Sequence, residues 1–100
     1  MIEVVETEVF SDWLAALADV RARARILTRI GRMADGNPGD MKPVGDGVSE
    51  MRIDYGPGYR VYFTRKGRFY VLLLCGGDKS SQARDIARAK TMAQELKDAS

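Results

Sequence analysis

Apolar and polar positions follow different periods along the chain, and the changes of period mark the elements. Residues Ile2 to Val9 open with β-favouring Ile, Val, Val and Thr, which predicts a first strand near residues 2–7. Ser11 is placed to cap a short helix carrying Trp13, Leu14 and Leu17, with Asp12 near its positive end. Asp19 is the candidate cap of a second helix, over roughly residues 20–34. Val20, Ala24, Leu27, Ile30 and Ala34 recur there at the spacing of one helix face, and Arg21, Arg25, Arg29 and Arg32 recur on another. Residues 36–47 contain four glycines and two prolines and read as one long surface loop.

From Val48 the period becomes two. Met51, Ile53 and Tyr55 alternate with Glu50, Arg52 and Asp54, the pattern of a strand with one wet face. Gly56-Pro57-Gly58 predicts a turn and Tyr59 to Thr64 the next strand, with Val61 and Phe63 on one side and Arg60 and Tyr62 on the other. Lys66-Gly67 predicts a tight hairpin turn. Phe69 to Cys75 is continuously apolar, as in a central strand covered on both faces, and Gly76-Gly77 is expected to end it. Ser80 or Ser81 is placed to cap a last helix to about Leu96, with Ile86, Ala89, Ala93 and Leu96 on its apolar side. The expected fold class is α+β. A small antiparallel sheet, formed by the N-terminal strand and a C-terminal three-strand meander, packs with two N-terminal helices and a C-terminal helix.

Length changes this picture little: 100 residues, 45% apolar and 30% charged, fit a single globular domain over 1–100 with one modest core. Charge changes it more, because the net +2 hides segregation. Residues 1–19 hold five acids and no Lys or Arg, whereas residues 20–34 hold five arginines and no acid. Residues 59–79 set Arg60, Arg65, Lys66, Arg68 and Lys79 against Asp78 alone. Such segregation builds local positive potential suited to a polyanionic or acidic partner. With no histidine and the single Cys75, neither a His-based triad, a zinc site nor an internal disulfide is expected, and no metal or other cofactor. The longest purely apolar run, Val71 to Cys75, is too short to cross a bilayer, and the acidic opening MIEVVETE differs from the basic start of a signal peptide. A cytoplasmic protein without a membrane partner is expected.

The run MADGNPGDMKPVGDGVSEMRIDYGPGYRVYF from Met33, followed by VLLLCGGDKSSQARDIARAK from Val71, resembles the HigB-like "addiction module killer" branch of the RelE/ParE superfamily. The resemblance covers almost the whole chain, and GDGVSEMRIDYGPGYRVYF and CGGDKSSQARDI are its most specific pieces. It implies the toxin half of a type II toxin–antitoxin pair, with a microbial-RNase-like sheet and helices. The implied partners are a cognate antitoxin, usually a small helix-turn-helix DNA-binding protein, and the ribosome with its mRNA. Operator DNA would be reached only through the antitoxin. Many such toxins cleave mRNA in the ribosomal A site, whereas ParE-like members of the same fold poison DNA gyrase. A non-catalytic module that binds its antitoxin and regulates their operon is a third possibility. Fold does not decide among the three.

RNA cleavage through a 2′-hydroxyl requires a base, an acid for the leaving group, and positive charge beside the phosphate. RelE-like toxins work with Arg, Lys and Tyr in place of histidine. Arg60, in GYRVYF, matches the arginine of the family's GYR motif and is the first candidate, as a phosphate clamp. Lys79 falls close to a second basic position of the family, and Arg52 resembles one on the preceding strand, with Glu50 and Asp54 as possible neutralising neighbours. Arg84, early in the last helix, completes the basic candidates. RelE-like enzymes often carry a C-terminal tyrosine; this chain has no aromatic residue after Tyr70, and Tyr62 is its candidate substitute. The Arg21, Arg25, Arg29 and Arg32 stripe serves either ribosomal RNA phosphates, an acidic antitoxin segment, or solvent alone.

Overall fold

The computed structural model describes residues 1–99. The chain runs β1 (Glu3–Glu6), α1 (Glu8–Ala16), α2 (Val20–Ala34), β2 (Met41–Gly45), β3 (Val48–Ile53), β4 (Tyr59–Arg65) and β5 (Tyr70–Asp78). A single 3-10 turn (Lys79–Ser81) then leads into α3 (Gln82–Asp98). The strands form one sheet in the order β1-β5-β4-β3-β2. Every pair is antiparallel except β1 with β5, which is parallel. The two N-terminal helices lie between β1 and the meander, so the first strand returns to the sheet beside the last one, and β5 becomes central.

This is the expected α+β arrangement, with one strand more than the sequence pattern announced. Residues 41–45, inside the expected surface loop, form β2, paired with β3 from Met41↔Met51 to Gly45↔Val48 through a bulge. Met41 and Val44 pack inward while Lys42 and Pro43 face out, and a proline and a bulge are what an edge strand tolerates. The remaining loop is held by Arg29, whose guanidinium donates to the carbonyls of Arg52 (2.6 Å), Pro38 (3.0 Å) and Asp40 (3.2 Å).

Both faces of the sheet are covered. Phe10 of α1 and Ile26 and Met33 of α2 pack with Met51, Ile53, Val61, Phe63, Val71 and Leu73. On the other face Ala89, Ile86, Ala93 and Leu96 of α3 pack with Val48, Tyr62, Leu72, Leu74 and Cys75. The expected wet face of β3 is therefore wrong at Glu50, which is fully buried under α3. Period-two alternation distinguishes two faces but does not say that the polar one is solvated.

Helix boundaries show what capping decides. Asp19 caps α2 as expected, accepting from the backbone N–H of Arg21 and Ala22. Thr7, not Ser11, caps α1: its hydroxyl accepts from Phe10 N–H at 3.1 Å and donates to the Leu74 carbonyl at 2.8 Å, tying the helix start to β5. Ser11 donates to Glu6 instead. The buried side of α2 is Ala22, Ile26 and Met33, whereas Val20 and Leu27, assigned to the core by spacing, are 67% and 51% exposed. Phe69 is likewise exposed and lies outside the strand. Gly76-Gly77 does not end β5, which runs on to Asp78. A Cβ at Gly76 would overlap the Trp13 ring and one at Gly77 the Asp85 carboxylate, so the glycines let α1 and α3 close on the central strand. Asp78 caps the 3-10 turn through Ser80, and Ser81 turns its hydroxyl to Asp85 instead of capping α3.

Candidate functional site

The register of β3 against β4 pairs Glu50 with Tyr62 and Arg52 with Arg60. Alternation puts all four on the sheet face that α3 covers. Two arginines directly opposite each other repel, and Glu50 resolves the conflict. Its Oε1 lies 3.7 Å from Arg52 Nε and 3.8 Å from Arg60 Nε, while its Oε2 accepts from the Tyr62 hydroxyl at 3.0 Å and from Gln82 Nε2 at 2.8 Å. Glu50 is wholly buried, so the carboxylate sits beneath the two guanidinium groups and α3 closes over it. A buried charge is tolerable only with such partners.

Oε1, Arg52 Nε and Arg60 Nε face one another without a hydrogen bond between them. Ion pairing alone holds this side of the cluster. Arg60 is steadied further by Nη1, which donates to the carbonyls of Gly58 (3.0 Å) and Tyr59 (3.3 Å). Its side chain is only 11% exposed, against 36% for Arg52. Gly58, at φ 78°, lets the turn before β4 fold back so that its carbonyl reaches the guanidinium. Burial, and then the hydrogen bond to Glu50, push the Tyr62 phenol far above its ordinary range. Tyr62 is thus a fixed donor to Glu50 and not a group on an open wall.

Above this cluster lies a cleft of about 410 Å³, walled by Arg52, Arg60, Lys79, Asp40, Asp54 and the Gly56–Gly58 turn. Three of the five residues proposed for chemistry, Arg60, Lys79 and Arg52, come together here. The other two do not: Tyr62 is buried beneath, and Arg84, whose side chain is 82% exposed, pairs with Asp85 at 3.9 Å away from the cleft wall. Lys79 owes its place to the extension of β5 beyond Gly77, which carries the 3-10 turn over Gly58. Asp40 lies 3.9 Å from Arg52 on the opposite rim.

The arginine stripe divides. Arg29 is engaged with the three carbonyls described above, and Arg25 lies over the Tyr55 ring at 4.7 Å. Arg21, Arg25 and Arg32 line a second groove, of about 580 Å³, between α2 and the end of β3. Ile53 and Asp54 border both groove and cleft, so the two basic surfaces are continuous. Among the described residues no group of three or more acidic, Cys or His side chains is arranged to hold a metal, and no helix is long and apolar enough to cross a membrane.

Glu50 and Gln82 escape sequence reasoning. Glu50 stands where a solvated residue is expected, and only its placement opposite Tyr62, between two strands with large apolar residues, hints at burial. Nothing local marks Gln82, which meets Glu50 across 32 residues of chain.

Comparison with known proteins agrees with this single-unit architecture. A protein of Haemophilus influenzae described only as uncharacterized is 52% identical over 95 residues, covering 95% of this chain and 96% of its own length. Residues 12–100 match the family model described as "Phage derived protein Gp49-like (DUF891)". The matched span holds both basic surfaces, the buried Glu50 cluster and all of the sheet except β1, and the chain belongs to this Gp49-like family.

Proposed function

We propose that this chain is the toxin of a toxin–antitoxin module and that it cleaves mRNA on the ribosome. The observation that carries the reading is the convergence of Arg52, Arg60 and Lys79 on one cleft, above a buried carboxylate that holds both arginines in place. Membership of a phage-derived family and the resemblance to addiction-module killers support the same reading.

In this mechanism Arg60 grips the scissile phosphate. Its guanidinium is braced at Nη1 and Nε, which spares it the entropy of ordering when the phosphate arrives. Arg52, on the partner strand, adds charge as the phosphate becomes more anionic. Lys79 protonates the departing 5′-oxygen. Asp40 and Asp54, the acceptors on the wall, are the groups available to take the 2′-hydroxyl proton. Glu50, entirely covered, positions the arginines and exchanges no proton with RNA. The ribosome supplies the message in register, and a cognate antitoxin neutralises the toxin between episodes of release.

The test is controlled expression in bacteria with mapping of mRNA 5′ ends within minutes. New ends in phase with codons, present for the natural chain and absent for a folded Arg60→Ala variant, are expected. Growth arrest with intact messages would move the activity to gyrase or another protein target. No arrest at all would leave an antitoxin-binding and operon-regulating module.

A further inference from the structure

Helix α2 turns Ala22, Ile26 and Met33 to the core, which places Val20, Ala24 and Leu27 on its outer side. Val20 and Leu27 stay 67% and 51% exposed, and they are two of the four large apolar side chains exposed on the described surface. Along one flank of this apolar ridge run Arg21, Arg25 and Arg32, lining the groove whose far wall includes Ile53. Among the described residues none of the three arginines makes an ion pair within 4 Å. The one acid at this end of the helix, Asp19, already accepts from the helix N-terminus and from the Tyr55 hydroxyl.

We infer that the outer side of α2 and its groove dock an acidic amphipathic helix of a protein partner. An apolar ridge beside a parallel row of unpaired cations is matched by a helix carrying apolar residues at a three-to-four spacing and Glu or Asp on the adjoining flank. The fifteen residues of α2 present about 22 Å of such surface, enough for about four turns of a partner helix. Nucleic acid fits less well: phosphates satisfy the arginines, but they leave Val20 and Leu27 in water. Because Ile53 and Asp54 border both the groove and the Arg60 cleft, the docked helix stands at the mouth of the cleft and obstructs a long polyanion there. Only this last consequence rests on the function proposed above.

The test titrates the isotope-labelled full chain with a synthetic peptide of about 15 residues, leucines on one face and glutamates beside them, followed by NMR shifts. A glutamine version of the peptide and a short single-stranded RNA serve as comparisons. The expected result is that shifts cluster on Val20, Ala24, Leu27, Thr28 and Arg32. Affinity should fall about tenfold or more in Arg21→Glu/Arg32→Glu, in Leu27→Asp and with the glutamine peptide, while Leu27→Asp leaves RNA binding unchanged. All substituted positions are exposed, and an unchanged unfolding midpoint verifies the fold of each variant. Shifts elsewhere, or a peptide affinity indifferent to Leu27→Asp, overturn the inference. So does an RNA affinity that falls as far as the peptide's, which would make the surface a nucleic-acid track. Peptide binding mapped to α2 in a chain that leaves mRNA whole would sustain the docking surface while removing the nuclease.

Discussion

Glu50 stands at the centre of the polar architecture, and its partners determine what its loss does. Removing one member of a buried ionic cluster leaves the others uncompensated, at a cost of about 3–5 kcal/mol. Glu50→Ala is accordingly expected to lower stability by that order, read as a drop in urea midpoint with little change in slope. Tyr62→Phe removes one hydrogen bond and leaves the ion pairs, so its loss should be nearer 1 kcal/mol. Equal losses in the two variants would show that Glu50 does not hold the arginines. Cys75 offers a pH test. Burial pushes its thiol up to about 11 from the ordinary 9.0. A folded value above the unfolded one means that the folded state favours the protonated thiol. This contribution is complete below pH 9 and is lost as pH rises toward 11. Native protein should resist alkylation at pH 8 and react once unfolded; rapid labelling of the native chain would contradict the buried site.

At the scale of elements, side-chain caps and glycines determine how the helices meet the sheet. Thr7→Ala removes both the cap of α1 and its tie to β5, and should cost about 1–2 kcal/mol. Ser11→Ala, away from the cap, should cost far less, and the reverse order in thermal denaturation would relocate the helix start. Asp19 extends the argument to pH. The Ala22 N–H, and then the Tyr55 hydroxyl, hold its carboxyl below the ordinary 3.8. A depressed folded value contributes stability above the unfolded pKa, and this is lost as pH falls through the folded value. The Asp19→Ala deficit in melting temperature should therefore be full at neutral pH and shrink below about pH 4, where the native carboxylate also protonates. A deficit independent of pH would remove the charge from the account.

Across the whole molecule, two basic surfaces meet along Ile53 and Asp54. If the cleft alone engages RNA, its three cations set the salt response. Single-stranded RNA binding should weaken with salt at a log–log slope of about −2, near −0.7 for each phosphate neutralised. Arg60→Ala should make the slope shallower by less than one, and Arg84→Ala should leave it unchanged. A much steeper slope, flattened by Arg21→Ala and Arg32→Ala, would extend the RNA site along α2.

The periods of the chain determined the elements of this fold almost completely, because α2, β3, β4 and α3 each bury residues at their own repeat. They also singled out Arg52, Arg60 and Lys79, whose residue types and positions beside turns need no tertiary information. What lies between elements was decided only when they packed. β2 was hidden because an edge strand with Pro43 and flanking glycines has the composition of a loop. Val20 and Leu27 share a helical period with the core, but period leaves the azimuth of a helix open, and the contact with the sheet chose Ile26 and Met33 instead. Alternation separated Glu50 from Met51, yet only the docking of α3 made that polar face an interior. Arg29 and Arg52 read alike in one dimension. Three backbone carbonyls engaged the first in the fold, and the cleft kept the second.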